Sequence, residues 1–549
     1  MTIKRFSLFF VLIFAVLLST SPAEAQKKAK KPAPSQPEEI GRVSFPVSCK
    51  KSVQKTFDRG ISLLHSFWYP EAERAFTSVI QADSDCAMGY WGIAMSFYHP
   101  LWEAPDARAL RRGWSFTMKA KKSAKTEREK GFITALEAFY HDSDRVDHAV
   151  RAAAYEKAMA QFHEKHPGDR EGAAFYALAL LATAPPSDKE HVNQKKAIEL
   201  LTPILAEAPE HPGAVHYLIH AADSPELAEK GLNAARTYAK IAPSVPHALH
   251  MPSHIFIRLG LWQEAIDSNR ASEAAAKSRM KGSPEERLHA LDYLTYAYLQ
   301  QGEDRKAEAI VREVGAMPRS KNENLKTAYA FSSIPARYLM ERRRWSEVMT
   351  LNAHPSRYPY AEAITYFTRA VGAARSNRII EASGEVEVLR SVRDKLSESK
   401  ERYWSDQVEV LLQGAAAWVE YLDGKHDRAL LHMRTAADLE DSLEKHPMTP
   451  GPILPARELL GSLLLEIGEP KAALAEFEKS LRTAPNRFDG LYGAARAAEL
   501  AEDFETARRY YEKLVAVASP SGGRQMELSE AKVFLEKRST PAQAGPAAN

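Results

Sequence analysis

Four histidines carry the spacing from which a metal centre can be built. His216 with His220, and His250 with His254, each form a His-x-x-x-His pair, and the second pair follows the first by 34 residues. The stretch 211–269 holds six of the chain's 18 histidines, so the pairs are a local concentration and not a scatter. On a helix, side chains four residues apart share a face. Neutral imidazole is the commonest protein ligand of zinc and copper, so two such pairs side by side offer the three or four nitrogens that a divalent transition metal, zinc or copper, requires. Asp223 or Glu210 would add a carboxylate, as a ligand or to orient a ring. The stretch has no cysteine and no HExxH motif, and no residue identifies itself as a general base, so binding is better supported than a hydrolytic reaction. Against the metal stands Pro252, which threatens the helix register of the second pair. The competing reading takes the rings as polar groups that line a surface and meet a partner.

Elsewhere the chemistry is sparse. The chain shows no Gly-rich phosphate loop, no nucleophile elbow and no paired catalytic carboxylates. Tyr90, Trp91, Phe97, Tyr98 and Trp102 form an aromatic cluster at helical spacing, which favours core packing for Tyr90 and Phe97 and leaves Trp91 as a candidate anchor for a partner. Arg342, Arg343 and Arg344 close a helical segment and suit the negative end of its dipole. His163, His166 and His211 sit beside Pro or Gly near helix ends and read as surface residues. With 74 basic and 71 acidic residues, no global charge points to nucleic acid or to an anionic membrane. The two cysteines, Cys49 and Cys86, read as a disulfide if the chain folds in an oxidising compartment.

The elements that must position these residues are helices. From Val53 onward the pattern is segments of about 12–18 residues with apolar positions at i, i+3, i+4 and i+7, broken by Gly, Pro, Asn or Asp. At 45% hydrophobic residues such a chain can bury a core, and an all-helical chain of 549 residues invites a search for repeats. Gly60, Ala72, Phe76 and Ser84 are spaced 12, 4 and 8, and Gly461, Ala473, Phe477 and Pro485 repeat those spacings. Ala94 follows Gly60 by 34, Ala507 and Tyr511 follow Ala473 and Phe477 by 34, and Ala197, Gly231 and Ala265 are spaced by 34. Gly302 with Ala307, and Gly424 with Ala429, mark two further hairpins at shifted phase. Residues 100–215 and 318–410 keep the helices but blur the register.

This skeleton resembles the tetratricopeptide repeat, over most of residues 50–518. The resemblance implies an all-α right-handed superhelical solenoid of roughly a dozen antiparallel helix hairpins, whose first helices line a concave groove. It also implies that groove positions 2, 5, 9 and 13 fall on His247, His250, His254 and Arg258, with His216 and His220 at positions 5 and 9 one repeat earlier. His65 and His99 share position 13, Trp91 takes position 5, and His289, Asp292 and Tyr296 continue a polar groove. The stretches HYLIHA, HALHMPSHIFIRLG, GISLLHSFWYPEAERAF and GYWGIAMSFYHPLW are similar to a group of exported bacterial tetratricopeptide proteins, a likeness that brings no activity with it.

The first 25 residues have a basic start, Lys4 and Arg5, an apolar run from Phe6 to Leu18 and the small-residue site Ala23-Glu24-Ala25, which predict a cleaved secretory signal and a periplasmic or extracellular protein. Residues 26–44 read as a flexible Lys/Pro-rich linker, 45–518 as the solenoid, and 519–549 as a capping helix and disordered tail. No later stretch reaches transmembrane length. The expectation is a binding or scaffold protein that presents a His- and aromatic-lined groove, with His247, Arg258, Trp91, His65 and His99, to a protein or peptide. The alternative is a metal-binding or metal-dependent protein using His216, His220, His250 and His254.

Overall fold

The computed structural model describes residues 38–279, 284–319, 323–520 and 522–539; the signal segment, most of the linker and the last ten residues lie outside them. The described residues form 25 α-helices and two short 3-10 helices, with no strand among them. Successive helices pair as antiparallel hairpins, from Gln54–His65 with Tyr69–Ala82 to Phe488–Leu500 with Phe504–Val517, followed by the helix Gln525–Ser539. Among these residues no helix is long and apolar enough to cross a membrane.

The repeat spacing has a packing cause. Phe76, fully buried in the second helix of its hairpin, rests on Gly60 of the first helix and on Gly92 of the next hairpin; a Cβ would come within 2.7 Å and 2.4 Å of its ring. Phe477 does the same between Gly461 and Gly493, where a Cβ would come within 2.8 Å and 2.3 Å. A large ring thus needs two backbones without side chains, which recur at fixed intervals as hairpins stack. Burying each such ring contributes about 1.5–3 kcal/mol, and filling either glycine would force the ring off its rotamer at a cost of about 1–3 kcal/mol.

Two extended segments of the chain lie against the first helices, where an open groove was expected. Residues 39–48 form one. Phe45 packs on Trp91, Phe57 and Phe132, the Ser48 N–H donates to Glu129 Oε1 at 2.8 Å, and the Arg42 N–H donates to the carbonyl of Glu210 at 3.0 Å. Residues 39–44 are therefore packed, where a flexible linker was expected. The other segment runs from Leu443 to Pro455. Arg337 donates to the carbonyls of Gly451 and Pro452, and the Glu444 N–H donates to the carbonyl of Pro186 at 3.2 Å.

The late hairpins return to the middle of the chain. Trp262 Nε1 donates to the carbonyl of Asn486 at 2.7 Å, and the Phe488 N–H donates to Gln300 Oε1 at 3.0 Å. Arg487, fully buried, joins Glu458 Oε1 at 2.7 Å to Glu341 Oε1 at 2.8 Å. Cys49 and Cys86 are joined by a disulfide, their Cα atoms 4.9 Å apart, which ties the start of the first hairpin to the start of the second.

Candidate metal centre

Pro252 breaks the run of helical hydrogen bonds without breaking the helix. The helices Pro246–His250 and Pro252–Arg258 meet at Met251, whose φ of −52° and ψ of −35° are helical, so His250 and His254 stay on one face. At the join the His254 N–H donates to the Met251 carbonyl instead of that of His250, and Ser253 Oγ donates to the freed His250 carbonyl at 2.7 Å. The expected loss of register does not occur.

The four paired histidines do not form one group of four. His216 and His220, on the helix Pro212–Ala221, meet His247; His250 and His254 meet His289, on the helix Glu285–Gln300. In each trio, one nitrogen per ring lies within 4.8 Å of the others. Five of the six rings are at least 95% buried, and His220 is half-buried with its Nε2 enclosed.

Hydrogen bonding fixes which nitrogen carries the proton in three of the rings, His216, His250 and His254. His250 Nδ1 lies 2.6 Å from Asn269 Oδ1, and because Asn269 Nδ2 donates to the carbonyl of Ala265 at 2.8 Å, Oδ1 is the acceptor and His250 Nδ1 the donor. His254 Nδ1 donates to Asp223 Oδ2 at 2.9 Å. Both Nε2 atoms are then lone pairs, and they face each other at 3.1 Å. The Tyr293 hydroxyl donates to His254 Nε2 at 3.3 Å and leaves the opposed pair in place. The other trio repeats the arrangement. His216 Nδ1 donates to the carbonyl of His65 at 2.6 Å, so its Nε2 is a lone pair, 3.2 Å from His247 Nε2. His247 Nδ1 has no hydrogen-bond partner and lies 3.8 Å from Glu286 Oε2, which has none either. Either tautomer of His247 leaves a buried lone pair facing another acceptor.

Burial and the neighbouring rings hold His216, His220, His250 and His289 far below the ordinary imidazole value, and burial brings His254 down to about 4, so the centre is neutral at physiological pH. Burial pushes the Asp223 carboxyl up, but Lys445 at 2.6 Å, Arg258 at 2.9 Å and the His254 N–H hold it well below the usual carboxylate range. Glu286 is likewise held low against burial by Lys326 and His247. Asp223 thus has the orienting role expected of a carboxylate, whereas Glu210 pairs with Arg42 at the surface, away from the rings.

A third group passes the same proximity test and differs in kind. The His65 ring accepts from the Tyr217 hydroxyl at 2.9 Å and donates Nε2–H to Glu171 at 2.8 Å. The His211 ring accepts from the Ala214 N–H at 3.1 Å and donates to the other oxygen of Glu171 at 3.1 Å. Every ring nitrogen there has a complementary partner.

Several residues expected to meet a partner are committed inside the protein. Trp91 is 1% exposed, edge-on to Phe132 and Phe175 and covered by Phe45. His65 is fully buried in the Glu171 group, and His211, read as a surface residue, is 3% exposed there. Arg258 is bound to the side chain and carbonyl of Asp223. His99 stacks on Tyr69 and, with His247, Glu286, Lys326 and Trp102, lines a cavity of about 450 Å³ beside the centre. Asn269, Glu286 and Lys445 were not foreseen as parts of the site.

No protein-family model matches the chain, and no curated protein matches it. Similar solved structures include a tetratricopeptide repeat protein from Parabacteroides merdae, 13% identical over 54% of this chain and 98% of that one, TM-score 0.29. They include yeast Tom70, 12% identical over 90% of this chain and 97% of that one, TM-score 0.30. A third is Naa15/Naa10 bound to HypK-THB, 12% identical over 88% of this chain and 73% of that one, TM-score 0.23. The fold is a tetratricopeptide-type solenoid. That statement stands on the hairpins and the Gly–Phe packing; the likenesses are too distant to place any site.

Proposed function

We propose that this solenoid binds a divalent transition metal through its buried histidines. The observation that carries the reading is the contact between His250 Nε2 and His254 Nε2 at 3.1 Å, with both Nδ1 protons already given to Asn269 and Asp223. Two lone pairs at that distance repel unless something positive lies between them. An ion at about 2.0–2.1 Å from each nitrogen would see them about 98° apart, close to a tetrahedral angle. A water at about 2.8 Å from each would see them only about 67° apart, too narrow for its two O–H bonds. A shared proton would put an imidazolium where burial opposes it more than the Asp223 carboxylate favours it. The all-imidazole set suits zinc or copper. The carboxylate on His254 and the amide on His250 are the outer partners that ligating rings keep, and the 450 Å³ cavity reaching His247 gives a path of entry. The secretory leader pattern of the first 25 residues supports extending the proposal to metal binding outside the cytoplasm.

The test is metal analysis of untagged protein, with thermal unfolding before and after chelation. Zinc or copper held by the wild type and reduced in His250→Ala supports the reading. Protein that stays metal-free and shows no thermal shift with either ion sinks it.

A second reading, capture of an extended peptide, is favoured by one observation. The chain's own Leu443–Pro455 is already gripped through its carbonyls, Gly451 and Pro452 by Arg337 of the first helix Leu325–Glu341 and Leu443 by Lys189 of the turn before Val192–Glu207. A partner segment of similar extended, proline-containing character would have to displace it. Pull-down with Arg337→Ala that matches the wild type would remove this reading.

A further inference from the structure

We infer that the six imidazoles form a two-metal centre, one ion held by His216, His220 and His247 and the second by His250, His254 and His289. This rests on the metal reading above and goes beyond it in number and arrangement. Each trio has its own close pair of ring nitrogens, at 3.2 Å between His216 and His247 and at 3.1 Å between His250 and His254; the second pair are both lone pairs, and in the first His247 leaves a lone pair against an acceptor whichever nitrogen carries its proton. An ion that relieves one pair does nothing for the other. Each trio also has its own outer carboxylate, Glu286 beside His247 and Asp223 on His254, and each of these is balanced by a separate cation, Lys326 or Lys445.

The trios adjoin, so the ions would share one buried chamber. Ring centroids of His247 and His250 are 6.1 Å apart, and those of His220 and His254 are 5.9 Å apart. The 34-residue repeat produces the duplication. His216 and His250, and His220 and His254, are equivalent positions on consecutive hairpins, and each pair takes its third ring from the first helix of the following hairpin, His247 for one and His289 for the other. Three imidazoles leave a four-coordinate ion one position for an oxygen donor. Two divalent ions on six neutral ligands also carry charge that the two carboxylates, already paired with lysines, do not offset, so an anionic oxygen ligand would complete the centre.

The same logic assigns no ion to His65, Glu171 and His211, whose hydrogen bonds are complete. The expected stoichiometry is therefore two, not three.

Equilibrium dialysis of the chelated full-length protein against zinc, read by elemental analysis, tests the count. Two equivalents should bind to the wild type. His289→Ala and His220→Ala should each bind one, with circular dichroism and thermal unfolding of the same samples confirming that they are folded. Should either variant fail to fold, anomalous diffraction from the zinc-loaded wild type decides: two zinc peaks are expected, one at each histidine trio, and a second ion bound anywhere else overturns the shared chamber. Saturation of the wild type at one equivalent overturns the second ion and leaves the metal reading intact. No binding at all overturns both.

Discussion

Two buried polar clusters in this molecule meet the cost of desolvation in opposite ways. Around Arg487, the guanidinium is fully enclosed and its charge is answered on both sides, by Glu458 and Glu341, with the Tyr296 hydroxyl at 2.9 Å. Donors face acceptors and no two lone pairs are opposed, although Glu341 Oε2 is left without a hydrogen-bond partner. Around His250, acceptors face acceptors, and the donors have been spent outward on Asn269, Asp223 and the carbonyl of His65. A buried polar group without a complement costs about 1–3 kcal/mol, so the second cluster reads as a site awaiting a ligand and the first as a structural join. The His65–Glu171–His211 group shows that the difference does not come from histidine itself, since there the same rings are fully paired.

Acidification should separate the two regions most strongly. Burial brings His99, His254 and His446 down to about 4, against an ordinary value near 6.5. Between those values the unfolded chain binds protons that the folded chain does not. Stability attached to these rings is present above about pH 6.5, falls as pH drops towards 4, and falls no further below it. Each fully buried ring contributes at most roughly 3 kcal/mol over that window. Hydrogen-exchange protection factors, corrected for the intrinsic slowing of exchange in acid, should fall between pH 7.5 and pH 5 in Pro212–Ala221 and Pro252–Arg258 before Phe488–Leu500. An equal loss of protection in both regions would dissolve the contrast.

Breaking the closed cluster should be the costliest single substitution. Arg487→Met leaves Glu341 and Glu458 buried without their counter-charge, and loss of one partner from such a pair costs about 3–5 kcal/mol. Denaturant unfolding should show it, while zinc uptake by the protein that remains folded is unchanged. A change in zinc uptake would mean that the regions are not independent.

Zinc should act in the reverse direction. At a free concentration of about 100 times the dissociation constant, binding to the folded state alone stabilises it by about 2.7 kcal/mol. That increment should persist in Glu171→Gln, which unsettles the paired histidines at a cost of about 1–3 kcal/mol, and shrink in His250→Ala to the share of the one ion its intact trio still holds. An increment lost in Glu171→Gln and kept in His250→Ala would put the ion in the wrong cluster.

How much of this was legible in the sequence follows from what is local and what is not. Gly60, Phe76, Gly461 and Phe477 announced the hairpins because the ring and the glycine it needs sit at fixed distances along one chain. His216/His220 and His250/His254 announced themselves for the same reason. The partition into trios was not legible, because His247 and His289 join their partners only when consecutive hairpins stack. Asn269 lies on a second helix, Lys445 in a loop more than 200 residues from Asp223, and Glu171 in a region where the repeat phase is blurred. Trp91 was misjudged for a related reason. Its position does face the first-helix surface, but Phe45, from a segment that looked like linker, covers it.

The finest test bears on a single proton. The Tyr293 hydroxyl is the donor nearest to the opposed nitrogens, at 3.3 Å from His254 Nε2. In the metal-free protein it relieves part of the repulsion, so Tyr293→Phe should cost about 0.5–1.5 kcal/mol, the ordinary worth of one hydrogen bond. An ion on His254 takes the same lone pair and displaces that donor. Removing the hydroxyl therefore destabilises the free state more than the loaded one, and zinc affinity should rise by a few-fold while stability without zinc falls. If Tyr293 were instead a structural partner of a paired histidine, as Tyr217 is for His65, affinity and stability would fall together. Opposite signs in zinc titration and chelated thermal unfolding would mark His254 as a ligand, and equal signs would return it to the closed kind of cluster.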